Sequence, residues 1–191
     1  MLLKRRPRKL ATKRPLPKKR ALRTEQSVRN SFCKGPGASS GPLSLKQVKT
    51  GTISLATTPQ DVARCHAVMR ELRPHYDDEA RFVADVMEQR ETGFQLAFIE
   101  WENVVRSVAG FRVTRNLSWG RHLFVDDLVT REQDHGTGFG SQLFEWLIAE
   151  ARRQGCESVQ LDSGVKRYGA HRFYHVRGMS IIAHHFSLGL D

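Results

Sequence analysis

The sequence predicts an α/β protein: a mixed, mostly antiparallel central sheet with helices on both faces, in the order βααβββαβαβ. Three observations predict it. Apolar residues recur at helical spacing in some stretches and alternate in others. Turn residues separate those stretches at lengths suited to a compact domain. A glycine-rich turn, His135-Gly136-Thr137-Gly138-Phe139-Gly140-Ser141, joins a strand-like run to a helix-like one.

Charge divides the chain before any element is assigned. Residues 1–60 hold 15 Lys/Arg and one acid, Glu25, a balance of +14. Residues 61–191 hold 16 Lys/Arg and 19 Asp/Glu, a balance of −3, and together these give the overall +11. Residues 1–50 contain Lys4-Arg5-Arg6, Lys18-Lys19-Arg20 and the Gly/Pro/Ser run at 35–42. Such a stretch has too little apolar material to offset its ordering entropy. It is expected to be a disordered tail, with a globular domain over 51–191. A solvated tail, a weak polyanion-binding arm and a targeting segment all remain open for it, although Pro7, Pro15 and Pro17 would break a transit helix. The three cysteines, Cys33, Cys65 and Cys156, form no C-x-x-C and point to reduced thiols in the cytoplasm. No apolar run approaches the roughly 20 residues of a membrane span, so no membrane partner is expected. A monomer and a homodimer fit equally well.

The elements follow in order. A short strand is expected over 53–56. Thr58-Pro59-Gln60-Asp61 reads as a helix start, with Thr as N-cap, Pro first in the helix and an acid three residues after the cap. Val62, Cys65, Val68, Met69 and Leu72 continue it at helical spacing, and Arg73-Pro74 ends it. A second helix is expected over 78–89, with Phe82, Val83 and Val86 on one side. After Gly93 the period changes. Phe94, Leu96 and Phe98 alternate, 104–113 is rich in strand formers, and 123–130 follows. Glu102-Asn103 and Asn116-Leu117-Ser118 are the turns of an antiparallel meander. Leu143, Phe144, Leu147, Ile148 and Ala151 stripe a helix over 142–154 that Gly155 stops. A strand at 158–161, a helix at 168–176 and a last strand at 179–188 complete the order. Trp101, Trp119 and Trp146 read as packing.

The glycine-rich turn carries the chemistry. Glycines on alternate residues leave a backbone without obstructing side chains, and its N–H groups, with the helix dipole behind them, can face an anion such as phosphate. A dinucleotide fingerprint needs a third glycine where Ser141 stands, and a Walker loop needs a Lys that is missing. The turn instead resembles the acyl-CoA loop of the GNAT superfamily of N-acetyltransferases, whose pattern is Gln or Arg, then x-x-Gly-x-Gly or Ala. His135 stands at the Gln/Arg position, and Gly138 and Gly140 at the two glycines. The likeness spans about residues 53–188. It is strongest from 123 on, where Ala170-His171-Arg172-Phe173-Tyr174 and Gly178-Met179 resemble the last motif of the superfamily. Arg167 stands where an Asn is common, and Met179 where an aromatic is usual. This segment is particularly similar to small bacterial members that acetylate aminoalkylphosphonates.

The resemblance implies the βααβββαβαβ fold, acetyl-CoA as donor and a primary amine as acceptor, in a small molecule or a protein. It implies acetyl-CoA contacts from the backbone of Leu128, Val129 and Thr130 and from His135, Gly136, Thr137, Gly138, Phe139, Gly140 and Ser141. The amine must lose a proton before it attacks a thioester, and the leaving thiolate benefits from gaining one. Tyr174 matches the family's proton donor. Asp127 matches an acid many members carry and is the expected base, since strand alternation turns only one of Asp126 and Asp127 toward the cleft. Arg73, His75, Tyr76, Ser163 and His184 are expected to meet the acceptor. His184 and His185 point to opposite strand faces and cannot jointly chelate, so no metal is expected. The rival expectation is an acetyl-CoA-binding sensor whose tail contacts nucleic acid.

Overall fold

The computed structural model describes residues 49–190; the expected tail, apart from Lys49 and Thr50, lies outside the described residues. The elements are β1 (Thr52–Leu55), α1 (Pro59–Leu72), α2 (Glu79–Glu91), β2 (Phe94–Trp101), β3 (Val104–Asn116), β4 (Gly120–Thr130), α3 (Phe139–Arg153), β5 (Ser158–Leu161) and α4 (Tyr168–Val176), with a single 3-10 turn at Glu132–Asp134. The strands lie side by side in chain order, antiparallel from β1 to β4, with β5 parallel to β4. No helix among these residues is long and apolar enough to cross a membrane.

Local chemistry explains the boundaries. The Thr58 hydroxyl accepts from the Asp61 N–H at 3.2 Å, and the Asp61 carboxylate accepts from the Thr58 N–H at 3.1 Å. This reciprocal box satisfies donors that a bare helix end leaves unpaired. Thr58→Ala is expected to cost about 1 kcal/mol of stability, measured by denaturant unfolding with an unchanged slope. Glu102 and Asn103 both take positive φ, 52° and 57°, as a two-residue hairpin of the primed type requires. The Asn116 carboxamide oxygen accepts from the N–H groups of Ser118 and Trp119, forming the next turn.

Alternation along the strands builds a core on each face of the sheet. Phe94, Leu96, Phe98, Val105 and Val108 are buried with Val62, Cys65, Met69, Phe82 and Val86 of α1 and α2. Ala97, Ala109, Phe111, Leu123 and Val125 are buried with Leu143, Phe144 and Leu147 of α3. Phe173 and Tyr174 of α4 pack partly against this second core.

One expected element does not form. Residues 179–188 make no strand; Met179 packs partly against the second core, while Ile181, Ile182, Phe186 and Leu188 are exposed. The composition suits a strand, but a strand exists only beside a hydrogen-bonding neighbour, and the segment does not pair with the outer edge of β5, the last strand of the sheet. The observed order is therefore βααβββαβα, with a five-stranded sheet.

Candidate active site

β4 is the axis of the site. Its pairing with β5 runs from His122 to Val125 and stops there, while its pairing with β3 continues to Thr130. From Asp126 onward the strand therefore has, among the described residues, a neighbour on one side only. Its end, after the 3-10 turn, leads to the glycine-rich loop.

The loop opens α3. Gly138 is the N-cap with φ 100°, a left-handed conformation that favours glycine, and the Gln142 N–H makes the first helical bond to its carbonyl at 3.0 Å. The N–H groups of Phe139, Gly140 and Ser141 precede the first available helical acceptor, so they are free for an anion. A Cβ on Gly140 would stand 2.7 Å from the Thr130 hydroxyl oxygen, so loop and strand end approach too closely for a side chain. The residues present thus fit a pyrophosphate: free donors, a helix terminus and no side chain in the way. His135 does not join them. Its ring Nε2 donates to the Thr130 carbonyl at 2.9 Å and braces the loop instead.

Beneath the loop lies a network that spacing did not reveal. Asp134 is 5 % exposed and sits between two guanidinium groups, Arg131 at 3.0 Å and Arg106 at 3.4 Å. Its carbonyl accepts from the Thr137 hydroxyl at 2.6 Å, which ties the loop to the buried ion group. Glu71 of α1 accepts from the Glu132 N–H at 2.8 Å. Arg177, after α4, donates to the Ser141 hydroxyl and lies 3.5 Å over the Phe173 ring.

On the α1/α2 face a cavity of about 270 Å³ is lined by Arg73, His75, Tyr76, Phe82, Phe94, Asp126 and Asp127 among others. Three expected acceptor contacts, Arg73, His75 and Tyr76, are thus brought to Asp127. Both aspartates line the cavity, which corrects the expectation that only one could. The reason is a bulge. Gly110 pairs with Asp127 and Phe111 with Val125, so Asp126 is an extra residue and the alternation resets. Gly110 makes room: a Cβ there would meet the Phe94 ring at 2.6 Å and the Asp127 carboxylate at 3.2 Å.

The carboxylates differ electrostatically. Asp127 accepts from Arg73 Nε at 2.7 Å. Asp126 accepts from Arg112 Nε at 3.0 Å, yet burial raises its pKa above the ordinary carboxylate value, an effect Arg112 partly offsets and neighbouring Asp127 reinforces. Burial likewise raises the pKa of the Tyr76 hydroxyl.

Tyr174 does not line that cavity. It belongs to the α3/α4 face, 5.9 Å from the Phe144 ring and 5.3 Å from Phe173, and burial pushes its hydroxyl pKa above 10. Ser163 and His184 are not brought to the aspartates either. The Ser163 hydroxyl, after β5, is buried without a partner among the described residues, and His184 lies in the exposed stretch after α4. Its neighbour His185 pairs with Asp162 at 3.0 Å.

Comparison with known proteins places these features in a family context. The sequence profile of the Acetyltransferase (GNAT) family matches residues 56–179. An uncharacterized N-acetyltransferase, YhdJ of Bacillus subtilis, is 33 % identical over 121 residues, covering 62 % of this chain and 83 % of that protein. The aminoalkylphosphonate N-acetyltransferase of Salmonella typhimurium is 42 % identical over 50 residues, 26 % of this chain and 32 % of that one. The crystal structure of a transcriptional regulator from Bacillus halodurans shares the fold at TM-score 0.66 and 21 % identity, covering 74 % of this chain and all of that one.

Proposed function

The chain belongs to the Acetyltransferase (GNAT) family and is an N-acetyltransferase, and from that premise we propose that it acetylates a small primary amine by direct attack on acetyl-CoA. One observation carries the reading. A single strand, β4, leads from two carboxylates in a small cavity to a backbone cradle suited to pyrophosphate. Acetyl-CoA supplies the thioester at whose acetyl carbon the amine reacts. The chain's own groups do the rest. The N–H groups of Phe139, Gly140 and Ser141 hold the phosphates, and the backbone of Leu128 to Thr130, paired on its β3 side but not with β5, lines the pantetheine path. A carboxylate in the cavity takes the amine proton. Tyr174 gives a proton to the departing sulfur.

Two residues compete for the base. Asp127 matches the family pattern, but its carboxylate is held by Arg73. Asp126 enters the same cavity through the bulge, and its raised pKa brings it closer to that of a working base. The raised value means the carboxylate gains its proton as pH falls at a higher pH than usual, and activity is lost with it. Asp126→Asn and Asp127→Asn separate the roles. The base variant is expected to lose about 10²-fold in kcat/KM near neutral pH. It should lose the acid limb of the pH profile and recover partly at high pH, where free amine is abundant. The other variant should keep the limb and change mainly KM for the amine.

The acceptor is sought with a panel of amines, free thiol being the readout. Aminoalkylphosphonates head the panel, since the Salmonella relative bears that activity in its name and Arg73 stands half-exposed at the cavity to meet an acidic group. Tight binding of acetyl-CoA with no amine acetylated would replace this reading by the sensor.

A further inference from the structure

Five polar side chains are buried among the described residues: His66, Ser107, His122, Asp134 and Glu150. Four of them stay within the sheet, one helix or the loop. Ser107 donates to the Val129 carbonyl, His122 to the Gly120 carbonyl, Glu150 accepts from Arg153 and Gln154, and Asp134 lies under the glycine-rich turn. His66 reaches out of its helix. It stands on the buried stripe of α1, one turn after Val62, and is 7 % exposed. Its Nε2 meets the backbone carbonyl of Tyr76 at 2.9 Å. A carbonyl only accepts, so Nε2 carries the ring proton and donates it. Glu79, which opens α2, stands 3.8 Å from the other ring nitrogen, so the imidazole sits where the connector between the helices meets α2.

That connector, residues 73–78, carries one wall of the cavity: Arg73, His75 and Tyr76. Its backbone has little to hold it. Between the two helix caps, among the described residues, it makes one internal bond, from the Tyr76 N–H to the Arg73 carbonyl at 3.0 Å, and it takes the bond from His66. The side chains lean on one another in turn. The His75 ring lies 4.7 Å from Tyr76, and the Tyr76 ring meets Phe82 at 5.6 Å, nearly perpendicular. The same Phe82 ring lies 5.5 Å from His66. Arg73 closes the series on Asp127. His66 itself does not line the cavity; it stands behind the wall.

We infer that His66 is a positioning residue for the acceptor. By holding the Tyr76 carbonyl from behind, it sets how far Arg73, His75 and Tyr76 stand from Asp126 and Asp127, and so which amine fits between them. The inference rests on the reading of this cavity as the acceptor site. Loss of the donor leaves a part-buried carbonyl unpaired, and a connector with so few other bonds relieves that by shifting. A shift of about 1 Å is enough to spoil the alignment of a small substrate.

The test compares three substitutions in the full chain, with aminoethylphosphonate or the amine of the panel that turns over fastest. His66→Leu removes the donor and keeps a buried side chain of similar size. KM for the amine is expected to rise about tenfold. KM for acetyl-CoA, and its affinity by calorimetry, should stay at the parental values, because the phosphate cradle stands on α3. His66→Gln should restore the parental KM for the amine, since its amide N–H reaches the same carbonyl. His66→Asn, one methylene shorter, should not. The Gln and Asn variants decide the question even where the Leu variant fails to fold. Equal amine KM in those two overturns the inference. So does a parallel loss of acetyl-CoA affinity, which would make His66 a residue of the general core. A parent protein that binds acetyl-CoA and acetylates no amine removes the acceptor reading itself, and this inference with it.

Discussion

Tyr174→Phe is expected to lower kcat by about 10²–10⁴-fold, the usual loss when a positioned acid is removed. The substitution deletes one hydroxyl and keeps the ring between Phe144 and Phe173, so the packing should survive. Burial raises the pKa of this hydroxyl, with Arg167 opposing the shift only in part. A raised value favours the protonated form, so the group carries its proton throughout the neutral range and can deliver it as negative charge grows on sulfur. In the proposed role the hydroxyl acts mainly at that moment, so KM for acetyl-CoA should change little. Steady-state kinetics with the best amine found will decide it. Turnover at the parental rate would make Tyr174 a packed aromatic and nothing more.

Gly138→Asp should reduce acetyl-CoA affinity at least tenfold, by calorimetry. Two effects add. The left-handed backbone at φ 100° opposes any side chain, costing about 1–2 kcal/mol. The carboxylate also puts negative charge where the phosphates meet the first N–H groups of α3, reversing an attraction worth about 0.3–1 kcal/mol per contact. Aspartate is ordinarily a good N-cap, but that benefit needs an extended cap residue, which this turn does not have. Gly138→Ala separates the two effects, since it adds the strain without the charge. Acetyl-pantetheine, which lacks the pyrophosphate, should bind both variants as it binds the parent. Unchanged acetyl-CoA affinity in the aspartate variant would remove this loop from the site.

What could be read from the sequence was whatever local chemistry decides. The Thr58–Asp61 spacing predicts the start of α1, and the structure shows both bonds of the cap. β5 and α4 fall at 158–161 and 168–176 as their patterns predict. The glycine spacing announces the free N–H groups at the start of α3. The misses all depend on partners distant in sequence. Period two assigns Asp126 and Asp127 to opposite faces, and only the register of β3 against β4 reveals the extra residue that turns both into one cavity. The ion group at Asp134 has no signature in the sequence, because Arg106 reaches it from β3, far away along the chain. Residues 179–188 have the composition of a strand, but composition does not supply the neighbour a strand requires.

The buried Asp134 group has a consequence for how the loop responds to ionic strength. Counterions screen exposed charges over about 10 Å at 0.1 M salt but reach buried pairs much less. The ion group beneath the loop is therefore insulated from the medium, while the N–H groups above it face the medium directly. If the loop holds the phosphates as proposed, added salt should weaken the attraction of the cradle for phosphate without loosening the cradle. Thr137 stays tied to the Asp134 carbonyl, and Gly138 stays in its turn. The salt sensitivity expected of acetyl-CoA binding would then come from the ligand's charges meeting a rigid receptor, with no contribution from a loop that has to be rebuilt.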